Sequence, residues 1–220
     1  MLIIYNDPVS LYCAKLRIFL RHKNIEREEL APPGGYGSAI YKTIIPSGNL
    51  PAMVDDGFVL SDSEAIAEYL NEKHIWPPML PNDMRQRAKI RERGRFHDTR
   101  LEPGVRKLFP QVRPEARDVD VVAGVCEEIE ARMGQMVPLF LRTDIAEQDG
   151  LSDDLTLGDC GYVISLAIIE ILTPVLDLTI TWPDEVSAYH KRLSAIPACA
   201  DVLKDYRATL HGWLVSLDAV

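Results

Sequence analysis

At 220 residues, with 47% hydrophobic and 26% charged side chains, the chain has the make-up of an ordinary folded protein of one large or two small domains. A net charge of −9 excludes nonspecific binding to nucleic acid or to an anionic membrane surface. No uninterrupted apolar run approaches the roughly 20 residues a bilayer-spanning helix needs, and MLIIYNDPVS has no basic lead or cleavage site, so a cytoplasmic protein is expected.

The first 76 residues alternate strand and helix signals. LIIY (2–5) is a short apolar strand, stopped by Asn6-Asp7-Pro8. Ser10 to Lys23 has helical spacing, with Leu11, Ala14 and Ile18 on one stripe and basic residues gathered toward the end, where the helix dipole favours them. A second strand is expected near 26–30, then a loop over APPGGYGS (31–38). PAMVDDGFVL (51–60) is a hairpin turning at Asp55-Asp56-Gly57. SDSEAIAEYLNEKH (61–74) is a capped helix with Ala65, Ile66, Tyr69 and Leu70 facing inward.

Residues 77–84 form a proline-rich linker. From 85 to 220 the pattern is helical throughout. A long charged helix starts at Met84, and a second covers 116–141. An acidic loop (143–154) precedes a Thr156–Asp159 capping pair, which opens the most apolar helix, 160–172. Two short helices split by Pro197 close the chain. The fold class is therefore α/β followed by all-α. The four cysteines (13, 126, 160, 199) are widely spaced, with no metal-binding pattern, and are expected as reduced, mostly buried thiols.

Three stretches of the first half carry chemistry. Ser10 opens a helix, where a hydroxyl is most often only a cap. The same helix end, with its free N–H groups and positive dipole, also stabilises an anion such as a thiolate. Ser10-x-x-Cys13 keeps the spacing of a redox Cys pair with serine in the first place, which puts Cys13 one turn into the helix and shielded. Leu50-Pro51 enters a strand; a plain strand-entry proline accounts for it, and a cis bond is the sharper alternative, which leaves a free edge for an extended peptide. Asp62 and Ser63 at a helix start suit an ammonium and a carboxylate, the two ends of an amino-acid head group. A thiol, a peptide edge and a head group together describe glutathione.

Five motifs in order give the chain a resemblance to the cytosolic glutathione transferases. They are Ser10 to Arg17, Ile45-Pro46-Ser47-Gly48-Asn49-Leu50-Pro51, Asp62-Ser63-Glu64-Ala65-Ile66-Ala67-Glu68-Tyr69-Leu70, Thr156 to Asp159, and Arg192 to Ala198. The resemblance implies a thioredoxin-like domain with a mixed sheet, then an all-helical domain, in a homodimer using glutathione as co-substrate with a small hydrophobic electrophile. It implies that Ser10 holds the glutathione sulfur, with Tyr12 and Cys13 as neighbouring catalytic candidates. Leu50 would pair with the cysteinyl unit beside Pro51, and Asp62 with Ser63 would hold the γ-glutamyl end, leaving Ser61 to solvent. Asn49 stands where the family has a basic residue, with Lys42 as its substitute, and Ile45 replaces an asparagine. The electrophile would lie between the domains, against His97, Arg100, Leu101, Val105, Trp213 and Leu217. A glutathione-dependent isomerase or dehalogenase, a thiol–disulfide oxidoreductase through Cys13, and a noncatalytic glutathione-binding module remain open alternatives.

Overall fold

The Asn6-Asp7-Pro8 break ends a strand and hands the chain to a helix. In the computed structural model, which describes residues 1–141 and 155–220, β1 (Leu2–Tyr5) is followed by α1 (Leu11–His22), β2 (Glu28–Leu30), α2 (Ala39–Ile44), β3 (Ala52–Asp55), β4 (Phe58–Ser61) and α3 (Ser63–Lys73). The strands lie in the order β2-β1-β3-β4. β1 runs parallel to β2, and the β1–β3 and β3–β4 pairs are antiparallel. This is the mixed sheet of a thioredoxin-like domain. The hairpin turns at Asp56 (φ 48°) and Gly57 (φ 90°), left-handed positions that Asp and Gly fill at low cost.

The helical half comprises α4 (Met84–Phe96), α5 (Glu102–Arg106), α6 (Val119–Met136), α7 (Cys160–Leu176), α8 (Asp184–Ala195) and α9 (Pro197–Val215). The expected acidic loop 143–154 lies outside the described residues. Three elements differ from the sequence expectation. The charged helix passes into a π-helical turn at His97–Leu101 before α5. α9 runs 19 residues, although it was expected to be short. α2 is a short helix where none was expected; Ser38 caps it, accepting from the Tyr41 N–H at 3.0 Å. Ala65, expected inward on α3, is exposed.

α7 is the spine of the core. Twelve of its residues are buried, among them Tyr162, Val163, Ile164, Leu166 and Ile168, each large apolar one contributing about 1.5–3 kcal/mol over exposure. The stretch Leu157–Leu176 does have the length and apolarity of a membrane-crossing helix, contrary to the sequence reading, but 72% of its most apolar window is buried inside the protein. Gly158 and Gly161 let it come close: a Cβ at Gly161 would fall 2.4 Å from the His97 ring. α1 packs on α7 and α9, which joins the two halves. The proline-rich stretch is anchored, with Met79 and Leu80 buried. Lys23 Nζ donates to the Pro77 carbonyl at 2.6 Å, and the Leu157 N–H to the Met79 carbonyl at 3.0 Å. All four cysteines are free and buried.

Candidate functional site

A cleft of about 750 Å³ opens between the sheet domain and the helical domain. Ser10, Tyr12, Asn49, Leu50, Pro51, Asp62 and Ser63 all line it. Three loops from separate parts of the chain thus converge on one place.

Ser10 is the N-cap of α1, extended at φ −68° and ψ 121°, and its Oγ accepts from the Cys13 N–H at 3.4 Å. Cys13 lies one turn in, 1% exposed and outside the cleft lining. Its Sγ accepts from the Asp7 N–H at 3.4 Å. Burial pushes the Cys13 thiol up, against the opposing hydrogen bonds of Ser10 and the Asp7 N–H.

The second edge is the 45–51 loop. The Leu50–Pro51 peptide is cis. The Leu50 N–H and C=O make no hydrogen bond among the described residues. Tyr41 Oη holds the loop by donating to the Asn49 carbonyl at 2.8 Å. Gly48 (φ 68°) faces the aliphatic part of Lys42, whose Cε would stand 2.9 Å from an added Cβ. Lys42 itself is exposed and outside the cleft.

The third edge is the start of α3. Asp62 sits at φ 98°, outside the regions an L-residue favours. Its Oδ1 accepts from the Glu64 and Ala65 N–H groups at 2.9 and 3.0 Å, which leaves Oδ2 unengaged among the described residues. Ser63 is the first helical residue and is 5% exposed. Ser61 lines the cleft too, half-buried, with its Oγ accepting from Ser47 Oγ at 3.1 Å.

The opposite wall comes from α4, the π turn and α5. Arg95, Asp98, Thr99, Glu102 and Arg106 line it, followed by Phe109. Tyr12 Oη donates across the cleft to Glu102 Oε2 at 3.1 Å. Arg106 also pairs with Glu102 and lies over the Tyr12 ring, 5.4 Å from its centroid. Burial and the neighbouring carboxylates raise the Tyr12 phenol, so it stays protonated near neutrality. Behind the wall, Lys15 Nζ reaches Asp98 Oδ2 at 2.9 Å and Glu64 Oε2 at 2.6 Å. Burial pulls the Lys15 amine down, but the two carboxylates more than offset it and leave it raised. His97 bridges Asp98 Oδ1 and Ser165 Oγ, both at 2.8 Å.

The residues expected to face an electrophile lie elsewhere. His97, Leu101 and Val105 are buried in the core, at 1% exposure or less. Arg100 is exposed, and Trp213 and Leu217 are half-buried; none of the three lines the cleft. Trp213 approaches only through Phe109, at 5.6 Å between ring centres. Sequence reasoning missed Arg95, Asp98, Thr99, Glu102 and Arg106. Their spacing is that of one helical face, which was the available signal. Among the described residues, no group of three or more His, Cys, Asp or Glu is placed to hold a metal ion.

Residues 9–73 match the family "Glutathione S-transferase, N-terminal domain". Glutathione S-transferase D7 of Drosophila melanogaster is 30% identical over 179 residues, covering 80% of this chain and 70% of its own. A stringent starvation protein A homolog of Pasteurella multocida is 33% identical over 165 residues, 74% of this chain and 72% of its own. For the Arabidopsis thaliana glutathione S-transferases Z1 and Z2 the match spans only 36% and 42% of their length. A delta-class glutathione transferase of Nilaparvata lugens has the same fold, with a TM-score of 0.79 over 99% of this chain and 100% of its own, at 19% identity.

Proposed function

Because the chain belongs to the glutathione S-transferase family, we propose that it binds glutathione in this cleft and ionises its thiol for attack on an electrophilic small molecule. In this reading the Ser10 hydroxyl donates to the glutathione sulfur. The Leu50 N–H and C=O pair with the cysteinyl unit, Asp62 Oδ2 takes the γ-glutamyl ammonium, and Ser63 with the α3 N–H groups takes its carboxylate. The observation that carries it is the meeting of Ser10, Leu50 and the start of α3 on one cleft.

The energetics suffice without a general base. Lowering a thiol from about 8.5 to about 6.5 is roughly 2.7 kcal/mol of differential stabilisation. One hydroxyl hydrogen bond to a charged sulfur supplies about 1.5–3 kcal/mol, and the helix end adds up to about 1 kcal/mol. The thiol proton leaves to solvent. The sulfur lone pair then forms the C–S bond, and the leaving group departs with its electron pair. A thiol–disulfide reaction through Cys13 would need an accessible, ionisable sulfur, whereas this thiol is buried and raised. A cytoplasmic homodimer belongs to the same reading on family grounds.

A noncatalytic glutathione-binding module is the second reading. It is favoured by the similarity to a stringent starvation protein A homolog over 74% of the chain and by Asn49 in place of a basic residue. Calorimetric titration with glutathione, followed by turnover assays with 1-chloro-2,4-dinitrobenzene and a panel of other electrophiles, separates the two. Saturable binding with turnover supports the enzyme. Binding without turnover on any electrophile supports the module, and absence of binding removes both.

A further inference from the structure

The helical wall of the cleft is made mostly of charged side chains in place of the expected set His97, Arg100, Leu101, Val105, Trp213 and Leu217, and Phe109 is its one apolar member among the described residues. Its acceptors are already engaged inside the protein. Asp98 takes Lys15 and His97. Glu102, 3% exposed, takes Tyr12 and Arg106. Its donors are not engaged to the same degree. The Arg95 side chain is 60% exposed and approaches Asp98 only at 3.9 Å. The Arg106 side chain is 59% exposed, and its ion pair with Glu102 runs through one terminal nitrogen. A guanidinium carries five N–H donors in a planar fork that meets a carboxylate two at a time. The unused hydrogen-bonding capacity of this wall is therefore cationic. The Arg106 guanidinium lies 5.4 Å from the centre of the Tyr12 ring, within cation–π reach, which keeps it at the cleft face.

We infer that the electrophile taken by this site carries a carboxylate, held by Arg95 and Arg106 while its reactive carbon faces the sulfur above Ser10. The inference rests on the glutathione transferase reading and narrows its substrate class. The carboxylate is a spectator: the thiolate forms the C–S bond, and the bond to the leaving group breaks with its electron pair. An apolar electrophile would set its surface against two half-solvated guanidinia and recover no hydrogen bonds from them.

The test is a matched pair of aryl chlorides, 2-chloro-1,3-dinitrobenzene and 4-chloro-3,5-dinitrobenzoate, which differ only by the carboxylate, with kcat/KM for each normalised to its uncatalysed reaction with glutathione. The carboxylate compound should be favoured by about tenfold or more, as expected for a charge-assisted hydrogen bond. The preference should shrink with added salt. Arg95→Gln and Arg106→Gln should each slow the carboxylate compound about tenfold more than the neutral one. Calorimetry with the two corresponding S-aryl glutathione conjugates reads the same preference without turnover. Glutathione binding combined with indifference to the carboxylate, in both assays, overturns this inference and leaves the parent reading standing. Failure of glutathione itself to bind removes the parent reading.

Discussion

Lys15 Nζ lies 2.9 Å from Asp98 Oδ2, a buried amine of the sheet domain set against a carboxylate of the helical wall. The same nitrogen reaches Glu64 beside Ser63, so one cation ties together α1, the start of α3 and the wall of the cleft. Removing one member of a buried ion pair costs about 3–5 kcal/mol, because the partner charge stays buried. Lys15→Met should lower stability to denaturant by about that amount, and Lys15→Met combined with Asp98→Asn should recover part of the loss. Wild-type stability in the single variant would show that the tie contributes nothing.

Ser10→Ala separates a cap from a thiol ligand. Loss of a hydrogen bond to a charged sulfur, about 1.5–3 kcal/mol, predicts a fall in kcat/KM of about 10- to 150-fold. Loss of an ordinary cap predicts about 1 kcal/mol of stability and intact turnover. Steady-state kinetics beside denaturant melts distinguishes the two, and the first pattern is expected.

Cys13→Ala should retain turnover and glutathione affinity. The sulfur is 1% exposed and lies outside the cleft, and burial keeps it protonated. Native protein should accordingly resist alkylation at Cys13 by iodoacetamide, read by mass spectrometry. Rapid labelling, or loss of turnover in the alanine variant, would place the chemistry on this sulfur.

Gly161 and Gly212 should respond in opposite directions to alanine. A Cβ at Gly161 falls within 2.4 Å of His97 Cε1 and Nδ1. It would push His97 off Asp98 and Ser165, an overpacking cost of about 1–3 kcal/mol. At Gly212, in α9, nothing lies within 4 Å, so alanine should add roughly 0.5–1 kcal/mol through helix propensity alone. Thermal melts of the two variants should move to opposite sides of wild type.

Asp98 predicts an acid-side dependence. Burial alone would raise its carboxyl, but the His97 hydrogen bond and the Lys15 charge outweigh burial and hold it below the usual range. The folded state therefore binds this proton less tightly than the unfolded chain does. The contribution is fully present above the unfolded value of about 3.9 and is lost as pH falls through the lower folded value. The stability difference between wild type and Asp98→Asn should be flat between about pH 5 and 7 and shrink below about pH 4. A constant difference down to the lowest pH at which the protein folds would remove Asp98 from this role.

What the sequence made legible was local. Ser10, Asp62 and the Thr156–Asp159 box mark helix starts, because a side-chain oxygen must satisfy free N–H groups there. Asp55-Asp56-Gly57 marks a turn that needs left-handed backbone. Of these, the Ser10 and Asp62 caps, with the cis-proline loop, line the sheet-domain side of the cleft, so that side was readable. α2 was not readable, because six residues are too few for periodicity. The π turn leaves no trace in composition. The helical wall failed for a different reason. Leu101 and Val105 are apolar and went to the core, at 0% exposure each, as burial of apolar area requires. Which polar face of a charged helix then fronts the cleft is decided by packing against another domain, as Lys15 and Tyr12 show.

The ionisation of bound glutathione bears on all of this most directly. Titrating the ultraviolet thiolate band of the protein–glutathione complex against pH should give a midpoint about two units below the roughly 8.5 of an ordinary thiol, and Ser10→Ala should move it back toward that value. A midpoint equal to that of free glutathione, with glutathione demonstrably bound, would contradict the assignment of Ser10 and the α1 start as the thiolate site.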